Sequence, residues 1–405
     1  MKVAVIGGGA AGFFSAIHVK VNYPNSNVTL FDKSKKLLAK VKISGGGRCN
    51  VTNGCDSISE LSKAYPRGGK KLKKAFNLFS TKDTIKWFEN RNTPLYTQQD
   101  NRVFPKSDSS ESIVNCLLNE TKRLGIDIKI QNGVIAISPR SKNLEITFSN
   151  GNKESFTHVI VATGGSPKIN GLNWLAELGH SIIPPVPSLF TFNIPKNNIS
   201  SLMGVSVKNA IVKIQSTKLN SYGPILITHW GMSGPAVLKL SSIGARILNQ
   251  FNYNFKIQIN WTNHSNNQLI LDQLQSTISK NPQKKVSSTK LFNLPASLWL
   301  HLLSKSNIMV NTKWNELSKK STNKLLDTLA NDIYQVKGKT TFKEEFVTCG
   351  GVSLDSINFN TMESKYIKNL FFAGEVLDID AITGGYNFQA AWTTGFIAGK
   401  LGKNC

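Results

Sequence analysis

Gly7-x-Gly9-x-x-Gly12 follows an apolar run, Val3–Ile6, and Asp32 stands 20 residues beyond Gly12, just past a second apolar run, Val28–Phe31. Glycines at that spacing let the chain turn tightly and let backbone approach a pyrophosphate. A helix that opens at Ala10 and Ala11 aims its amide hydrogens and its positive end at the phosphates. Asp32 can accept hydrogen bonds from ribose hydroxyls. The spacing predicts a dinucleotide site, with Gly7, Gly9, Ala10, Ala11 and Gly12 on the pyrophosphate and Asp32 on a ribose. Lys33 and Lys40 are further expected cofactor contacts. A glycine turn without function would leave the position of Asp32 unexplained. Other chemistries lack their residues. The six His and 24 acids form no HExxH or clustered ligand set, so no metal is expected. No GxSxG is present, and hydrolase chemistry is unsupported.

These residues need a strand, a turn, a helix and a second strand to position them, and Lys2–Ile6, Ala10–Val21 and Val28–Phe31 read that way. Residues 33–110 read as basic and loop-rich. A helix is expected over Ser112–Leu124, then alternating strand segments to Phe156 with Asn150-Gly151 as a hairpin turn, and a buried strand over His158–Ala162. Prolines at 184, 185 and 187 mark a boundary. Beyond it Phe190–Ile194, Val205–Ile214 and Phe255–Ile259 read as strands, and Leu269–Ser279, Leu291–Ser304 and Asn315–Leu329 as helices. The chain then returns to a strand at Leu370–Ala373 and a final helix at Asn387–Leu401. The division is 1–188 and 346–405 for a nucleotide domain, 189–260 and 331–345 for a β-rich insertion, and 261–330 for a small helical domain.

The chain has 405 residues, with 49 Lys and Arg against 24 Asp and Glu, a formal charge of +25. Such a balance attracts polyanions. Only seven of those bases are Arg, and abundant Lys, Asn and Ile also suggest a coding bias that raises lysine without any ligand. Clustering argues for more than bias. Residues 33–74 hold twelve Lys or Arg against Asp56 and Glu60, and 251–330 hold ten Lys against three acids. No apolar run reaches a membrane span. Gly7-Gly8-Gly9 interrupts what could pass for a secretory leader. The five cysteines, Cys49, Cys55, Cys116, Cys349 and Cys405, are odd in number and scattered without a CxxC pair. Neither a disulfide framework nor a zinc site is expected, and the expected compartment is reducing and cytoplasmic.

Two later segments resemble the FAD fingerprints of glutathione-reductase-like flavoproteins: the strand before Thr163-Gly164-Gly165, and Leu370–Ala373 before Gly374-Glu375. Ser44-Gly45-Gly46-Gly47-Arg48-Cys49-Asn50-Val51-Thr52-Asn53 is then more specific. With Arg102–Pro105, Thr228–Pro235, Val347–Val352, Phe372–Asp378 and Thr383–Ala390, it resembles a bacterial flavoprotein family of the aminoacetone-oxidase-like and ribosomal RNA dihydrouridine synthase type. The likeness runs from residue 3 to about 399, with departures at Leu38, Ala381 and Cys349. It implies an α/β, Rossmann-like FAD domain built from both chain ends, an inserted β-barrel-like domain and a small helical domain. It also implies FAD contacts from Thr163, Gly164, Gly374, Glu375, Asp378, Gly385, Tyr386 and Asn387, and a backbone contact from Val134 to the adenine. A helix start at Gly385–Asn387 would stabilise a reduced flavin through its dipole.

Within the loop, Gly45, Gly46, Gly47, Arg48 and Asn50 read as flavin-wrapping residues, with Arg48 as counter-charge. Cys49 has two readings. It is a proton donor beside a flavin that delivers hydride from N5, or it packs near the ring. His229, before Trp230, is a substrate contact or a hydrogen-bonded structural residue. Two functions follow. In one, FAD reduces the C5=C6 bond of uracil in ribosomal RNA while Lys-rich surfaces hold phosphates and Tyr386 or Trp230 stacks a base. In the other, a flavoenzyme acts on a small amine or enone. A flavin-binding RNA or ribosome-assembly factor is a third reading. No second GxGxxG is present, so NAD(P)H would serve only as a transient electron donor.

Overall fold

The computed structural model describes residues 1–340 and 347–403. The chain forms two compact units, one from Met1–Ser188 with Phe342–Cys405 and one from Leu189–Thr341. The sequence-based division at 345/346 lies outside the described residues, as does Cys405. No described helix is long and apolar enough to cross a membrane.

In the first unit, β1 (Lys2–Ile6) and β2 (Asn27–Phe31) join a seven-stranded sheet. Its order is Ile357–Asn358, Glu363–Ser364, Leu370–Phe372, His158–Val161, β1, β2, Asp127–Lys129. The last five strands are mutually parallel. Val3, Ala4 and Val5 are fully buried although neighbours point to opposite faces, so both faces of β1 are covered. The α/β architecture with a sheet assembled from both chain ends is present, and the inserted unit carries an antiparallel sheet. α1 (Ala10–Asn22) is buried from Ala11 through Val19, packed between the sheet and the final helix, Tyr386–Ala398.

Residues 33–110 differ from the loop-rich expectation. They hold four helices, α2 (Ala39–Gly47) and then Ile58–Lys63, Gly69–Ala75 and Thr81–Glu89. Each is too short to show a helical period, and each is held by tertiary burial of Val41, Leu61, Leu72 or Phe88. Leu38, where the family resemblance leads to an expected glycine, has φ +54 and a buried side chain. Its burial offsets the cost of a left-handed residue. The Pro-rich segment is also ordered: Ile182–Ser188 pairs with Val347–Val352 across a bulge between Ile183 and Val186. Proline is tolerated there because the two-stranded ribbon has edges on both sides.

The second unit is a seven-stranded antiparallel sheet, Asp332–Lys337, Asn254–Asn260, Ser206–Ile214, Asn220–Thr228, Gly231–Ser233, Thr191–Asn193, Lys339–Thr340. The helices Asn267–Lys280, Ala296–Lys305 and Lys319–Ala330 share one apolar cluster with its strands rather than forming a core of their own. Pro295 and Ser318 mark the starts of the last two helices, later than the apolar periodicity suggests.

His18 on α1 is buried among Phe14, Phe79, Trp87 and Phe396, and its Nδ1–H donates to Phe14 O at 2.8 Å. Burial lowers its pKa to about 4, so the folded ring stays neutral. The unfolded ring takes up a proton below its ordinary pKa of 6.5, so this contribution is full above 6.5 and is lost as pH falls towards 4. The loss amounts to about 3 kcal/mol. Urea midpoints measured from pH 7 to pH 4 should fall less steeply in His18→Leu than in the parent chain.

Candidate functional site

Parallel pairing aligns the chemistry-bearing turns. Ile6 is level with Phe31 and Val161, and Val161 with Phe372. The turns that follow, at Gly7, Asp32, Thr163 and Gly374, therefore leave the sheet along one edge. In open parallel sheets that carboxyl edge is where ligands bind.

The three motif glycines have different reasons. Gly7 has φ +115, and a methyl there would overlap Ala162 O; a methyl at Gly12 would overlap Gly7 O. The protein's own packing demands both. Gly9 differs, because a methyl there meets nothing within 4 Å. Gly9 caps α1 with no side chain bonded to the helix amides and no acid in the first turn. The opening turn at Ala10 and Ala11 thus offers backbone donors to an anion. Asp32 accepts from Gly8 N and from Ser34 N, each at 2.6 Å, which fixes the turn while leaving lone pairs for a further donor. Lys33 is exposed beside it. Asn132 N donates to Asp32 O at 2.9 Å, and Val134 opens the three-stranded meander two residues later.

The second chain end adds its own groups. Gly374 has φ +76, and a methyl there would stand 2.7 Å from Ala11 Cβ. Lys40 Nζ donates to Glu375 Oε2 at 2.7 Å, and Glu375 Oε1 accepts from Thr348 N at 2.8 Å. Thr348 Oγ1 is buried with no partner among the described residues. Gly164, in the turn after exposed Thr163, has φ +74 and open space where a side chain would stand.

α2 breaks at Ser44, and Gly45, Gly46 and Gly47 follow with φ +60, +71 and +84. Gly45 packs against Phe104, whereas methyls at Gly46 and Gly47 would meet nothing within 4 Å. Arg48 lies 4.2 Å from the centre of the Phe104 ring, with Asp108 3.8 Å from its guanidinium. Cys49 is fully buried at φ +61, and its N–H donates to Ser44 O at 2.9 Å. Burial pushes its thiol up to about 12. With its amide oriented to suit both partners, Asn50 donates to Thr52 O at 3.0 Å and accepts from Gly385 N at 2.8 Å. Asn53 Nδ2 donates to Gly384 O at 2.9 Å, and Tyr65 OH to Tyr386 O at 2.6 Å. Asn387 brackets Ala381, accepting from its N and donating to its O at 3.0 and 3.2 Å. Loop 44–53 and the start of the last helix are one hydrogen-bonded piece.

The open glycine positions, the uncapped helix starts and the orphaned Thr348 hydroxyl fit an extended dinucleotide such as FAD lying along this edge. His229 belongs to the other unit, exposed in the turn after Thr228, with its ring 4.0 Å from that of Trp230. Sequence reasoning missed a buried pair next to Asp378. Arg67 binds Asp380 through two guanidinium nitrogens, and Ser188 Oγ donates to Asp380 at 2.6 Å. Asp380 is fully buried; burial pushes its carboxyl up, while Arg67 and Ser188 pull it down. The available signal was an arginine inside a run of lysines. Among the described residues no group of three or more His, Cys, Asp or Glu could hold a metal.

Gly9→Ala should leave the melting temperature of the cofactor-free protein within a few degrees while abolishing its flavin colour. Gly12→Ala should instead cost about 2–4 kcal/mol of stability with or without cofactor. Absorbance near the flavin bands and thermal melts of both forms check the pair.

A family model described as HI0933-like protein Rossmann domain matches residues 1–401. A 3-dehydro-bile acid delta(4,6)-reductase of Clostridium scindens is 25% identical over 408 residues, covering 98% of each chain. A ribosomal RNA dihydrouridine synthase of Haemophilus influenzae is 28% identical over 405 residues, covering 97% of this chain and 96% of its own. Among solved structures, a 3-ketosteroid-delta4-(5alpha)-dehydrogenase from Rhodococcus jostii overlays with TM-score 0.51 at 11% identity, covering 98% of this chain and 95% of its own.

Proposed function

The chain belongs to the HI0933-like Rossmann-domain family and is an FAD-dependent oxidoreductase; from that premise we propose that it reduces the C5=C6 bond of uracil in ribosomal RNA. Both named relatives frame the choice. Uracil C5=C6 is conjugated to a carbonyl, as is the alkene of an enone, so one electronic problem covers both substrates. Hydride must reach the carbon remote from the carbonyl, and a proton the carbon next to it. For uracil these are C6 and C5, and the product is 5,6-dihydrouracil.

Bound FAD supplies the hydride, with NAD(P)H as the proposed external reductant. The chain's own residues do the rest. The α1 amides at Ala10 and Ala11, with Gly7, Gly9 and Gly12, would hold the pyrophosphate. Asp32 and Lys33 would hold the ribose, and Val134 the adenine. Lys40, Glu375 and Asp378 would take the remaining phosphate and ribityl positions. Loop Gly45–Asn50, Thr163, Gly164 and the Gly385–Asn387 helix start would enclose the ring. Amides at that helix start favour negative charge through the dipole.

The observation that carries the RNA reading is the lysine surface of the cofactor-binding unit. Lys35, Lys36, Lys70 and Lys74, outside the cofactor contacts, are exposed and have no carboxylate partner among the described residues. A bile acid brings a single carboxylate and can use one or two of them, whereas an RNA backbone offers a phosphate to each. Deleting the gene should remove one or more dihydrouridines from 23S ribosomal RNA, read by mass spectrometry. Unchanged dihydrouridine with lost enone reduction would favour the small-molecule reading.

Cys49 is a poor proton donor at neutral pH, since general acids work best with a pKa near the operating pH. We assign it to packing the flavin loop. Cys49→Ala should keep colour and turnover within a few-fold while melting lower. Colour retained with turnover abolished in Cys49→Ala would return the acid role to the thiol.

A further inference from the structure

Between Glu177 and Asp272 the chain contains no Asp or Glu. That stretch supplies three of the four strands in the large part of the second unit's sheet: Ser206–Ile214, Asn220–Thr228 and Asn254–Asn260. The fourth, Asp332–Lys337, brings one acid, and it is internal. Asp332 is 2% exposed and bonded to Lys305, Trp261 and Tyr334. One face of these strands is apolar and buried, through Val212, Ile214, Ile225, Ile257, Ile259 and Val336. The exposed positions of these four strands lie on the opposite face, and none of them is an acid.

Register orders what that face presents. Lys213 is level with Gln258 on one neighbour and Asn220 on the other; Lys256 is level with Gln335, and Asn254 with Lys337. Lys213, Lys256 and Lys337 are all exposed and form no ion pair among the described residues. Alternate residues share a face and strands lie about 4.8 Å apart, so these lysines form a diagonal across the sheet. Tyr222, level with Ile211, is 51% exposed with its OH on Asn209 at 2.8 Å. Where the first hairpin turns, Lys213, Gln215, Ser216, Thr217, Lys218 and Gln258 line an open depression of about 470 Å³.

We propose that this sheet face binds single-stranded RNA, with Lys213 and Lys218 holding a phosphate in the depression, Lys256 and Lys337 continuing along the backbone, and Tyr222 stacking a base. The proposal deepens, and rests on, the ribosomal RNA reading above. Cations fixed on a rigid sheet beside an exposed aromatic and side-chain amides match the requirements of single-strand recognition. An anionic membrane would use the same charge, but its headgroups offer no ring for Tyr222 to stack on. Duplex RNA offers no unstacked base to Tyr222.

The test uses the full-length, flavin-loaded protein. Binding of a uridine-rich single-stranded RNA is measured against KCl for the parent chain, for the combined Lys213→Gln, Lys218→Gln, Lys256→Gln, Lys337→Gln variant, and for Tyr222→Ala. The lysine variant should lose at least tenfold in affinity and reduce the salt slope by about 3. Tyr222→Ala should lose about five- to tenfold for the single strand and keep the parent's slope and duplex affinity. Unchanged circular dichroism and flavin content establish that the variants fold. Parental affinity and slope in the lysine variant would overturn the proposal. So would loss of binding to phosphatidylglycerol vesicles with RNA binding intact. Failure of the underlying reading looks different: the parent chain itself would not retain RNA and gene deletion would leave dihydrouridine unchanged, which would remove both.

Discussion

Two helices from opposite ends of the chain approach each other through glycine. A methyl at Gly395 would stand 2.9 Å from Ala11 O, and one at Gly399 2.6 Å from His18 Cβ. Such contact lets α1 and the final helix lie backbone to backbone over the parallel sheet, and Gly374 makes the same allowance for Ala11 where the last parallel strand ends. Without that approach the strand Leu370–Phe372 could not sit beside His158–Val161, and its turn would not join those of β1 and β2. The alignment of four turns at one sheet edge depends on it.

Glycines in this unit fall into two physical kinds. At Gly7, Gly12, Gly385 and Gly395 neighbouring protein atoms forbid a side chain. At Gly9, Gly46, Gly47 and Gly164 no protein atom does. The first kind is a requirement of packing, and the second has its rationale in what the backbone must meet. Loop 44–53 combines both. Gly46 and Gly47 face open space while Gly45 packs on Phe104, Cys49 is sealed inside and Asn50 is tied to Gly385, so the flexible-looking sequence is held from behind.

Charge is arranged by the same logic of burial. Arg67 is one of few arginines and spends its charge on buried Asp380, where an unpaired carboxylate would cost several kcal/mol, of order 3–5. Exposed Lys35, Lys36, Lys70 and Lys74 have no carboxylate partner among the described residues and keep their field for the solvent side. In the second unit the separation is complete along four strands, with the one acid turned inward and cations outward.

Much of the cofactor site was legible because it is local. Gly7, Gly9, Gly12 and Asp32 encode strand, turn and helix within one βαβ segment, and a strand buried on both faces shows as an unbroken apolar run at residues 3–6, 159–161 and 370–372. Four short helices between 39 and 89 were not legible, since six to nine residues carry little periodicity and their stability comes from distant neighbours. Nor was the inward turn of Cys49. A cysteine between Arg and Asn in a glycine loop allows a proton donor or a packed residue, and only its full burial in the first unit's core favours packing. The amino-acid order determined which turns can hold a dinucleotide, because backbone geometry and spacing act over a few residues. Tertiary structure decided which side chains those turns expose, which charges are paired and which face of the inserted sheet stays open, because burial depends on segments hundreds of residues apart.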